Sequence, residues 1–237
     1  MRKHGDWWIT NKERTDIKTS FYNQLLVSET DPYWWRSEIE YYKYIISYFD
    51  LPCRSFVDVG SSYGFIARPV SKIFKRVHCF EPNPKVYRCL TVNMTEVKNA
   101  TLYRKGLSNR QHSIILYSNE KVSTHSSFVN NPLEKATEVL AHCITLDSLK
   151  LSSVDFLKID AENWEWRVIK GALETIQRCR PAIFVECNIT FFKTFKTLYD
   201  MGYILVGVME VNNYMFIHED KVKRVKDVQR FSMGRKI

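Results

Sequence analysis

The chain has 237 residues, 45% of them hydrophobic and 26% charged, which is the balance of a folded domain rather than of a disordered segment. It contains no apolar run of the roughly 18 residues that a membrane helix needs, no apolar leader and no CxxC pair, so we expect a cytoplasmic protein without a membrane span, a zinc finger or a disulfide framework. The net charge of +9 is concentrated in residues 221–237, here called the basic tail, which could meet a nucleic acid or simply be solvated.

The N-terminal part is predicted to be a cap followed by one helix. Residues 1–34 are rich in aromatic side chains but show no regular spacing, which indicates an irregular cap. Apolar residues recur at helical spacing over residues 38–49, and Pro52 then breaks the chain. We therefore divide the chain into a cap and helix over residues 1–50, a main domain over residues 51–220 and the basic tail.

Beyond Pro52, strands are predicted to alternate with helices. The predicted strands cover residues 55–59, 76–80, 100–104, 154–159, 182–185, 203–208 and 214–218, with weaker candidates at 112–118 and 138–146. The predicted helices cover residues 65–74, 85–94, 164–179 and 190–201. This alternation is typical of an α/β fold with a mostly parallel sheet, helices on both faces and a closing hairpin that adds an antiparallel edge strand.

Two motifs at the ends of the first two strands indicate a nucleoside-binding site. The first strand runs into Asp58-Val-Gly-Ser-Ser-Tyr-Gly64, whose glycines allow a tight turn and a close approach of the backbone to a ligand. Glu81 ends the second strand about 20 residues after Gly60, where an acid can accept hydrogen bonds from both ribose hydroxyls. Pro82 follows and is placed to flank an adenine ring.

The glycine turn favours S-adenosylmethionine over a dinucleotide. A dinucleotide site needs a middle glycine that admits the pyrophosphate; here that glycine is missing, and Tyr63 would crowd the phosphates. Asp58 would repel phosphates, but it could help to hold a cationic amino-acid moiety. S-adenosylmethionine carries an ammonium and a sulfonium and has no phosphate, so its charges suit this turn.

Six motifs in order resemble those of FkbM-type S-adenosylmethionine-dependent methyltransferases. They are Phe56-Val-Asp-Val-Gly-Ser-Ser-Tyr-Gly64, Phe80-Glu-Pro82, Gly106-Leu-Ser-Asn109, Ile144-Thr-Leu-Asp-Ser-Leu149, Phe156-Leu-Lys-Ile-Asp-Ala-Glu162 and Pro181-Ala-Ile-Phe-Val-Glu186. The resemblance covers about residues 53–218 and implies a seven-strand Rossmann-like sheet in an enzyme that methylates a hydroxyl of a sugar or another small metabolite. It also implies cofactor contacts from Asp58, Gly60, Ser62, Tyr63, Gly64, Glu81, Pro82, Gly106, Leu107 and Asp160.

The chain departs from the family pattern at two places. Ser62 stands where the family usually has Asn, so one hydrogen bond to the methionine carboxylate is expected to differ. In the segment Glu162-Asn-Trp-Glu165 the family usually reads Glu-Gly-Ala-Glu, so the large Trp164 replaces a small side chain. With Glu162 nearby, Trp164 and Trp166 either form an aromatic platform for the acceptor or pack against the N-terminal cap.

Carboxylates at the ends of two strands are the candidates for the chemistry. Asp160 and Glu186 end successive strands, so both should face the same cleft, where one acid can raise the pKa of another towards neutrality. A hydroxyl acceptor needs a base, and we expect Asp160 to be that base or to orient the acceptor, with Glu186 second and the loop residue His125 third. A role limited to holding cofactor and loop amides is equally open. No histidine accompanies the acids, so a metal is not expected.

Two other functions stay open from the sequence. One is ribose 2′-O methylation of RNA, with Lys158 on the same strand face as Asp160. The side chains that would then contact phosphates are Lys221, Lys223, Arg224, Lys226 and Arg230. The other is a non-catalytic binding module on a degenerate methyltransferase fold, against which the intact Asp58, Glu81 and Asp160 argue.

Overall fold

The computed structural model describes residues 1–4, 7–9, 33–119, 126–128, 136–209 and 212–222. Its strands are β1 (Arg2–His4), β2 (Trp7–Ile9), β3 (Ser55–Val59), β4 (Arg76–Phe80), β5 (Ala100–Tyr103), β6 (Gly106–Leu107), β7 (His112–Asn119), β8 (Ser126–Ser127), β9 (Ala136–Ile144), β10 (Phe156–Ile159), β11 (Ala182–Glu186), β12 (Tyr203–Met209) and β13 (Asn213–His218). Its α-helices are α1 (Tyr33–Tyr48), α2 (Ala67–Val70), α3 (Pro84–Asn93), α4 (Glu165–Lys170), α5 (Leu173–Cys179) and α6 (Phe191–Asp200). Within these ranges no helix combines the length and the apolar character that crossing a bilayer requires.

A seven-stranded sheet forms the centre of the molecule, in the order β12-β13-β11-β10-β3-β4-β5. Strands β11, β10, β3, β4 and β5 run parallel, whereas β13 pairs antiparallel with both β11 and β12. The predicted Rossmann-like sheet with its antiparallel edge hairpin is thereby confirmed. The strand order reverses beside β3, and a sheet of this kind opens a crevice at that point, at the carboxyl ends of its strands.

Helix α1 covers one face of this sheet with aromatic side chains. The ring of Tyr42 is fully buried, with its centroid 4.6 Å from that of Phe156 and 5.1 Å from that of Phe184. Phe56 stacks on Phe156 with a centroid distance of 5.2 Å. Burial of each such ring stabilises a fold by roughly 2 kcal/mol, so α1 is part of the core of the sheet and not an appendage.

The opposite face carries the intervening strand residues. Val57, Leu157 and Ile183 are fully buried there in one cluster with apolar side chains of α4, α5 and α6. The single helix predicted over residues 164–179 is two helices, interrupted at Gly171. A Cβ on this glycine would stand 1.9 Å from the carbonyl oxygen of Ser108, so the chain needs glycine to approach that loop.

A separate four-stranded sheet, in the order β6-β9-β7-β8, adjoins the carboxyl edge of the main sheet. The weaker strand candidates became β7 and β9, which pair antiparallel from His112 opposite Cys143 to Asn119 opposite Ala136. Strand β6 has two residues and follows directly from β5. The sequence analysis did not anticipate that these strands form a layer of their own.

Part of the N-terminal cap is regular, contrary to the predicted irregular structure. Strands β1 and β2 pair antiparallel, with Arg2 opposite Ile9. Asn93 of α3 attaches this pair to the main body, because its Oδ1 accepts a hydrogen bond from the Trp8 amide at 2.7 Å. The side-chain nitrogen of Asn93 in turn donates to the carbonyl oxygens of Trp8 at 3.0 Å and Tyr63 at 2.9 Å.

Candidate functional site

A cleft opens at the carboxyl ends of β3, β4 and β10, where the strand order reverses. Its walls come from these strand ends and from the four-stranded sheet. The lining residues are Val59, Gly60, Ser62, Phe80, Glu81, Pro82, Gly106, Leu107, Leu116, Ser126, Phe128, Asp160, Ala161 and Glu162. Ligands of open α/β sheets bind in this position.

The glycine turn after β3 borders this cleft through Gly60 and Ser62. Gly60 and Gly64 adopt φ angles of +78° and +91°, which favour glycine. A Cβ on Gly60 would stand 1.9 Å from the carbonyl oxygen of Asp160. The amides of Gly60 and Ser61 both donate to the carbonyl oxygen of Phe80 at 3.0 Å, so the turn is fixed between the ends of β4 and β10.

Glu81 is held in place by backbone amides at the end of β4. Its Oε2 accepts a hydrogen bond from the Ser62 amide at 3.1 Å, and its Oε1 accepts one from the Asn83 amide at 2.8 Å. Burial outweighs these hydrogen bonds and raises the pKa of Glu81 to about 7. A carboxylate oriented in this way keeps lone pairs for the two hydroxyls of a ribose.

Asn83 connects this end of the site to the four-stranded sheet. Its side-chain oxygen caps α3 by accepting a hydrogen bond from the Lys85 amide at 3.0 Å. Its side-chain nitrogen donates to the hydroxyls of Ser118 at 2.9 Å and Ser126 at 3.0 Å. Since Asn83 is fully buried, these contacts fix the position of β7 and β8 relative to Glu81.

The four-stranded sheet gives the cleft an apolar wall. Leu107 and Leu116 line it and are almost completely buried. Gly106 lets Phe128 approach, because a Cβ there would stand 2.9 Å from the Cζ atom of Phe128. An apolar wall near a hydroxyl-binding acid suits the flat base of a nucleoside.

A buried ion cluster lies at the end of β10. The ammonium of Lys158 is 3.1 Å from Oδ2 of Asp160 and 3.8 Å from Oδ1 of Asp58. Burial alone would lower the pKa of Lys158, but the charges of Asp160, Asp58 and Glu38 outweigh it and raise that pKa. Asp58 is fully buried, and its carboxylate accepts no hydrogen bond from the residues that the structure describes.

Two further acids adjoin this cluster. The charge on Asp160, followed by burial and by the charge on Glu162, raises the pKa of Glu186 to about 8. Burial raises the pKa of Glu38, on α1, to about 7, and its carboxylate accepts a hydrogen bond from the hydroxyl of Tyr42. The sequence analysis missed Glu38, although an acid within the apolar stripe of a helix was a signal for it.

The predicted cofactor residues divide into a lining set and a supporting set. Those that line the cleft are Gly60, Ser62, Glu81, Pro82, Gly106, Leu107 and Asp160, together with the predicted acceptor residue Glu162. Asp58 lies behind them, beside Lys158. Tyr63 is buried against the ring of Phe65, with a centroid distance of 5.7 Å, so it does not reach into the cleft. Gly64 faces side chains of α3.

Trp164 and Trp166 do not form the shared platform that was one of the two predictions. Trp164 is 7% exposed, its indole nitrogen donates to the Ser108 hydroxyl at 3.3 Å, and its ring centroid lies 5.1 Å from that of Phe128. Trp166 has a different neighbour: the ammonium of Lys193 lies over its ring, 5.4 Å from the ring centroid.

In the described parts of the N-terminal cap, residues 1–4, 7–9, 33 and 34, the alternative packing is not seen for Trp164 either. Trp164 belongs to the apolar cluster on the α4 side of the sheet. Trp7 and Trp8 of the cap pack on the cluster at the α1 side. A ring of this size therefore fills the space between α4 and the four-stranded sheet.

Three other predictions concern residues at or beyond the limits of the described chain. His125 lies outside the described residues, as does the basic tail from residue 223 onwards. Lys221 donates to the carbonyl oxygen of Arg180, directly before β11, so the tail starts at the edge of the sheet away from the cleft. Among the described residues no group of three or more acids, histidines or cysteines is arranged to hold a metal ion.

Comparisons with known proteins identify a family for this chain. The family model described as the methyltransferase FkbM domain matches residues 58–220. A solved structure of methyltransferase FkbM from Methylobacillus flagellatus KT is 16% identical with a TM-score of 0.52, over 70% of this chain and 43% of that one. This chain therefore spans less than half of that protein, and the likeness concerns the fold.

Two further solved structures are more distant. An S-adenosylmethionine-dependent O-methyltransferase from Thermotoga maritima is 12% identical with a TM-score of 0.45, over 84% of this chain and 70% of that one. Magnesium protoporphyrin IX methyltransferase from Synechocystis PCC 6803 is 9% identical with a TM-score of 0.46, over 78% and 79%. Likenesses of this size add nothing to the assignment. No curated protein sequence matches the chain.

Proposed function

This chain belongs to the FkbM family of methyltransferases, and from that premise we propose that it transfers the methyl group of S-adenosylmethionine to a hydroxyl of a sugar or another small metabolite. The observation that carries the proposal is the Glu81 carboxylate, which is fixed by two backbone amides directly beside the glycine turn. Acceptor class and a cytoplasmic location stay predictions from the sequence.

The residues of the cleft fit S-adenosylmethionine. Glu81 would accept hydrogen bonds from the ribose, and Leu107 and Leu116 would contact the base. Gly60 and Ser62 line the cleft, and this turn would border the methionine part of the cofactor. Asp58 supplies a buried negative charge to a cationic ligand. When bound, the cofactor supplies a methyl group on a positively charged sulfur.

The acceptor end would be formed by Asp160, Glu162 and Glu186. Lys158 fixes the carboxylate of Asp160 at the edge of the cleft, where it can orient an acceptor hydroxyl and receive its proton. The raised pKa of Glu186 keeps a proton on that carboxyl at neutral pH, so it would donate a hydrogen bond there rather than act as a base. The rest of the rate enhancement would come from holding the acceptor hydroxyl close to the methyl group and from excluding water from the site.

The acidic surroundings support a small acceptor over RNA. Asp160 and Glu162 line the cleft, and both would repel a phosphate backbone. Lys158 is buried and its pKa is raised, so its ammonium does not give up its proton to act as a base. The basic tail begins at the far edge of the sheet, beside Arg180.

Calorimetric titration with S-adenosylhomocysteine tests the proposal. We expect micromolar binding to the unchanged protein and at least tenfold weaker binding to Glu81→Ala, since the ribose loses its acceptor. Glu96→Ala, which removes an exposed acid from the turn after α3, is the matched control and should bind like the unchanged protein. Absence of binding at millimolar ligand, with and without candidate acceptors, would favour the non-catalytic binding module instead.

A further inference from the structure

Carboxylates outnumber cations at the acceptor end of the cleft, and one of them comes from outside the region that the family model matches. Lys158 lies opposite Asp58 in the strand register, so both point to the α1 side of the sheet. Asp160 and Glu186 lie at the ends of their strands, and Glu38 of α1 approaches from above. The ammonium of Lys158 is 3.1 Å from Asp160 and 3.8 Å from Asp58, and its charge acts to lower the pKa values of Glu38 and Glu186.

Glu38 is held rigidly in this group. It is 6% exposed, and its carboxylate accepts the hydrogen bond of the Tyr42 hydroxyl. The ring of Tyr42 is clamped between Phe156 and Phe184 of the sheet, at centroid distances of 4.6 and 5.1 Å. Glu38 thus cannot turn to solvent without breaking its hydrogen bond to this fixed hydroxyl.

An independent observation indicates that this group accommodates a further cation. The Asp58 carboxylate is 0% exposed and accepts no hydrogen bond from the described residues, and its ion pair with Lys158 is long, at 3.8 Å. Lys158 lies closer to Asp160, at 3.1 Å. A buried carboxylate without a hydrogen-bond donor is costly, and an added positive charge nearby relieves that cost.

We propose that Glu38 is a specificity-determining residue of the cofactor site, whose buried negative charge favours the positively charged sulfonium of S-adenosylmethionine over the neutral thioether of S-adenosylhomocysteine. This inference rests on the proposed function. In the transfer, the carbon–sulfur bond breaks as the carbon–oxygen bond forms, the bonding pair stays on sulfur, and the acceptor proton leaves to a base. Sulfur thereby loses its charge, so the attraction from Glu38 acts on the cofactor and not on the product.

The test compares the affinities of the two ligands by calorimetry at pH 8.5, where Glu38 is ionised. In Glu38→Gln, which keeps the shape and can still accept the Tyr42 hydrogen bond, the affinity for S-adenosylmethionine should fall roughly three- to tenfold more than that for S-adenosylhomocysteine. Glu40→Gln is the matched control, because Glu40 is exposed on the same helix. Its affinity ratio should equal that of the unchanged protein.

Repeating the comparison at pH 6 separates charge from shape. Glu38 carries a proton there, so the substitution should no longer change the affinity ratio. Among the described residues, the ionisable groups that share an electrostatic effect with Glu38 are Lys158, Asp160, Asp58, Glu186 and Tyr42, and the substitution leaves each of them in place.

Three results would overturn an assignment. An unchanged affinity ratio in a folded Glu38→Gln, whether both affinities fall equally or neither falls, would reduce Glu38 to a structural role. If that variant fails to fold, Tyr42→Phe at pH 7.5 takes its place, since loss of the hydrogen bond favours the protonated carboxyl, and an unchanged ratio would overturn the inference. Failure of the unchanged protein to bind either ligand would refute the proposed function instead.

Discussion

Gly60 and Asp160 are in close backbone contact after the ends of the neighbouring strands β3 and β10: a Cβ on the glycine would stand 1.9 Å from the carbonyl oxygen of the aspartate. The first turn of the sheet and the loop after β10 therefore share one space, although 100 positions separate the two residues. The contact sets the distance between the turn that would admit the cofactor and the carboxylate that would face the acceptor.

We expect Gly60→Ala to damage both stability and binding. The added methyl group displaces the Asp160 carbonyl, and the alanine must also adopt a φ of +78°. The free energy of unfolding should therefore fall by more than about 2 kcal/mol. Urea denaturation measures this loss. Gly202→Ala is the control, because Gly202 has a φ of +80° but its Cβ would meet only side-chain atoms at 3.1 Å or more. It should cost about 1 kcal/mol, and an equal loss in both variants would contradict the importance of the contact.

Glu186→Gln should stabilise the protein at alkaline pH. The pKa of Glu186 rises from 4.5 to about 8 on folding, so between these values the folded state keeps a proton that the unfolded chain releases. Stability therefore falls as pH rises from 4.5 to 8, and the variant escapes this loss. At pH 9 its Tm should exceed that of the unchanged protein by at least about 2 °C, against little difference at pH 4.5.

The matched control for this prediction is Glu174→Gln, which alters an exposed acid on α5. It should leave Tm unchanged at both pH values. A Tm difference for Glu186→Gln that does not depend on pH would show that the carboxyl acts there through its shape and not through its charge.

Asp155→Ala should destabilise the fold without weakening ligand binding. The buried carboxylate accepts hydrogen bonds from the amides of Arg54 at 2.7 Å and Ser55 at 3.1 Å, and pairs with the Arg54 guanidinium at 2.7 Å. These contacts join the starts of β3 and β10 at the edge away from the cleft. We expect a loss of about 2–4 kcal/mol in chemical denaturation, with unchanged affinity for S-adenosylhomocysteine.

The exposed ion pair between Asp220 and Arg180 offers a control for Asp155→Ala. Its charged atoms are 2.6 Å apart, but both side chains are at least 40% exposed. Asp220→Ala should therefore cost under about 1 kcal/mol. A similar loss in the two aspartate variants would contradict the role of burial.

Asn93→Ala should release the N-terminal strand pair. Three hydrogen bonds disappear, two of which hold Trp8, so amide hydrogen exchange over residues 1–9 should accelerate at least tenfold while the sheet stays protected. Asn99→Ala is the control. It removes two partly buried hydrogen bonds from the Asn99 side chain to the carbonyl oxygens of Ser71 and Phe74, and it should leave exchange over residues 1–9 unchanged.

Much of the main sheet could be predicted because its strands are short apolar runs bounded by turn residues. The predicted strands at 55–59 and 76–80 coincide with β3 and β4. The family resemblance drawn from six motifs is also confirmed. The two-residue strand β6 carries no periodicity, and Leu140 of β9 is 60% exposed, so the four-stranded sheet gave no clear pattern in the sequence.

The site was predictable where a motif is local and was missed where it depends on tertiary contacts. Gly60 and Glu81 belong to motifs with fixed spacing, and both line the cleft. Trp164 is buried through partners as far away in sequence as Ser108, which no local pattern reveals. The charge of Lys158 affects the pKa of Glu38 only because α1 lies across the sheet, and helix amphipathicity alone does not say which strand the helix covers.

The placement of α1 shows that the region matched by the family and the folded core begin at different residues. Sequence likeness to the family begins at residue 58, yet Tyr42 of α1 closes the aromatic layer over Phe56, Phe156 and Phe184. A shortened chain that begins at residue 51 would leave that layer facing water, so we expect it to aggregate or to be insoluble on expression. The limit of recognisable ancestry thus lies inside the unit that folds cooperatively.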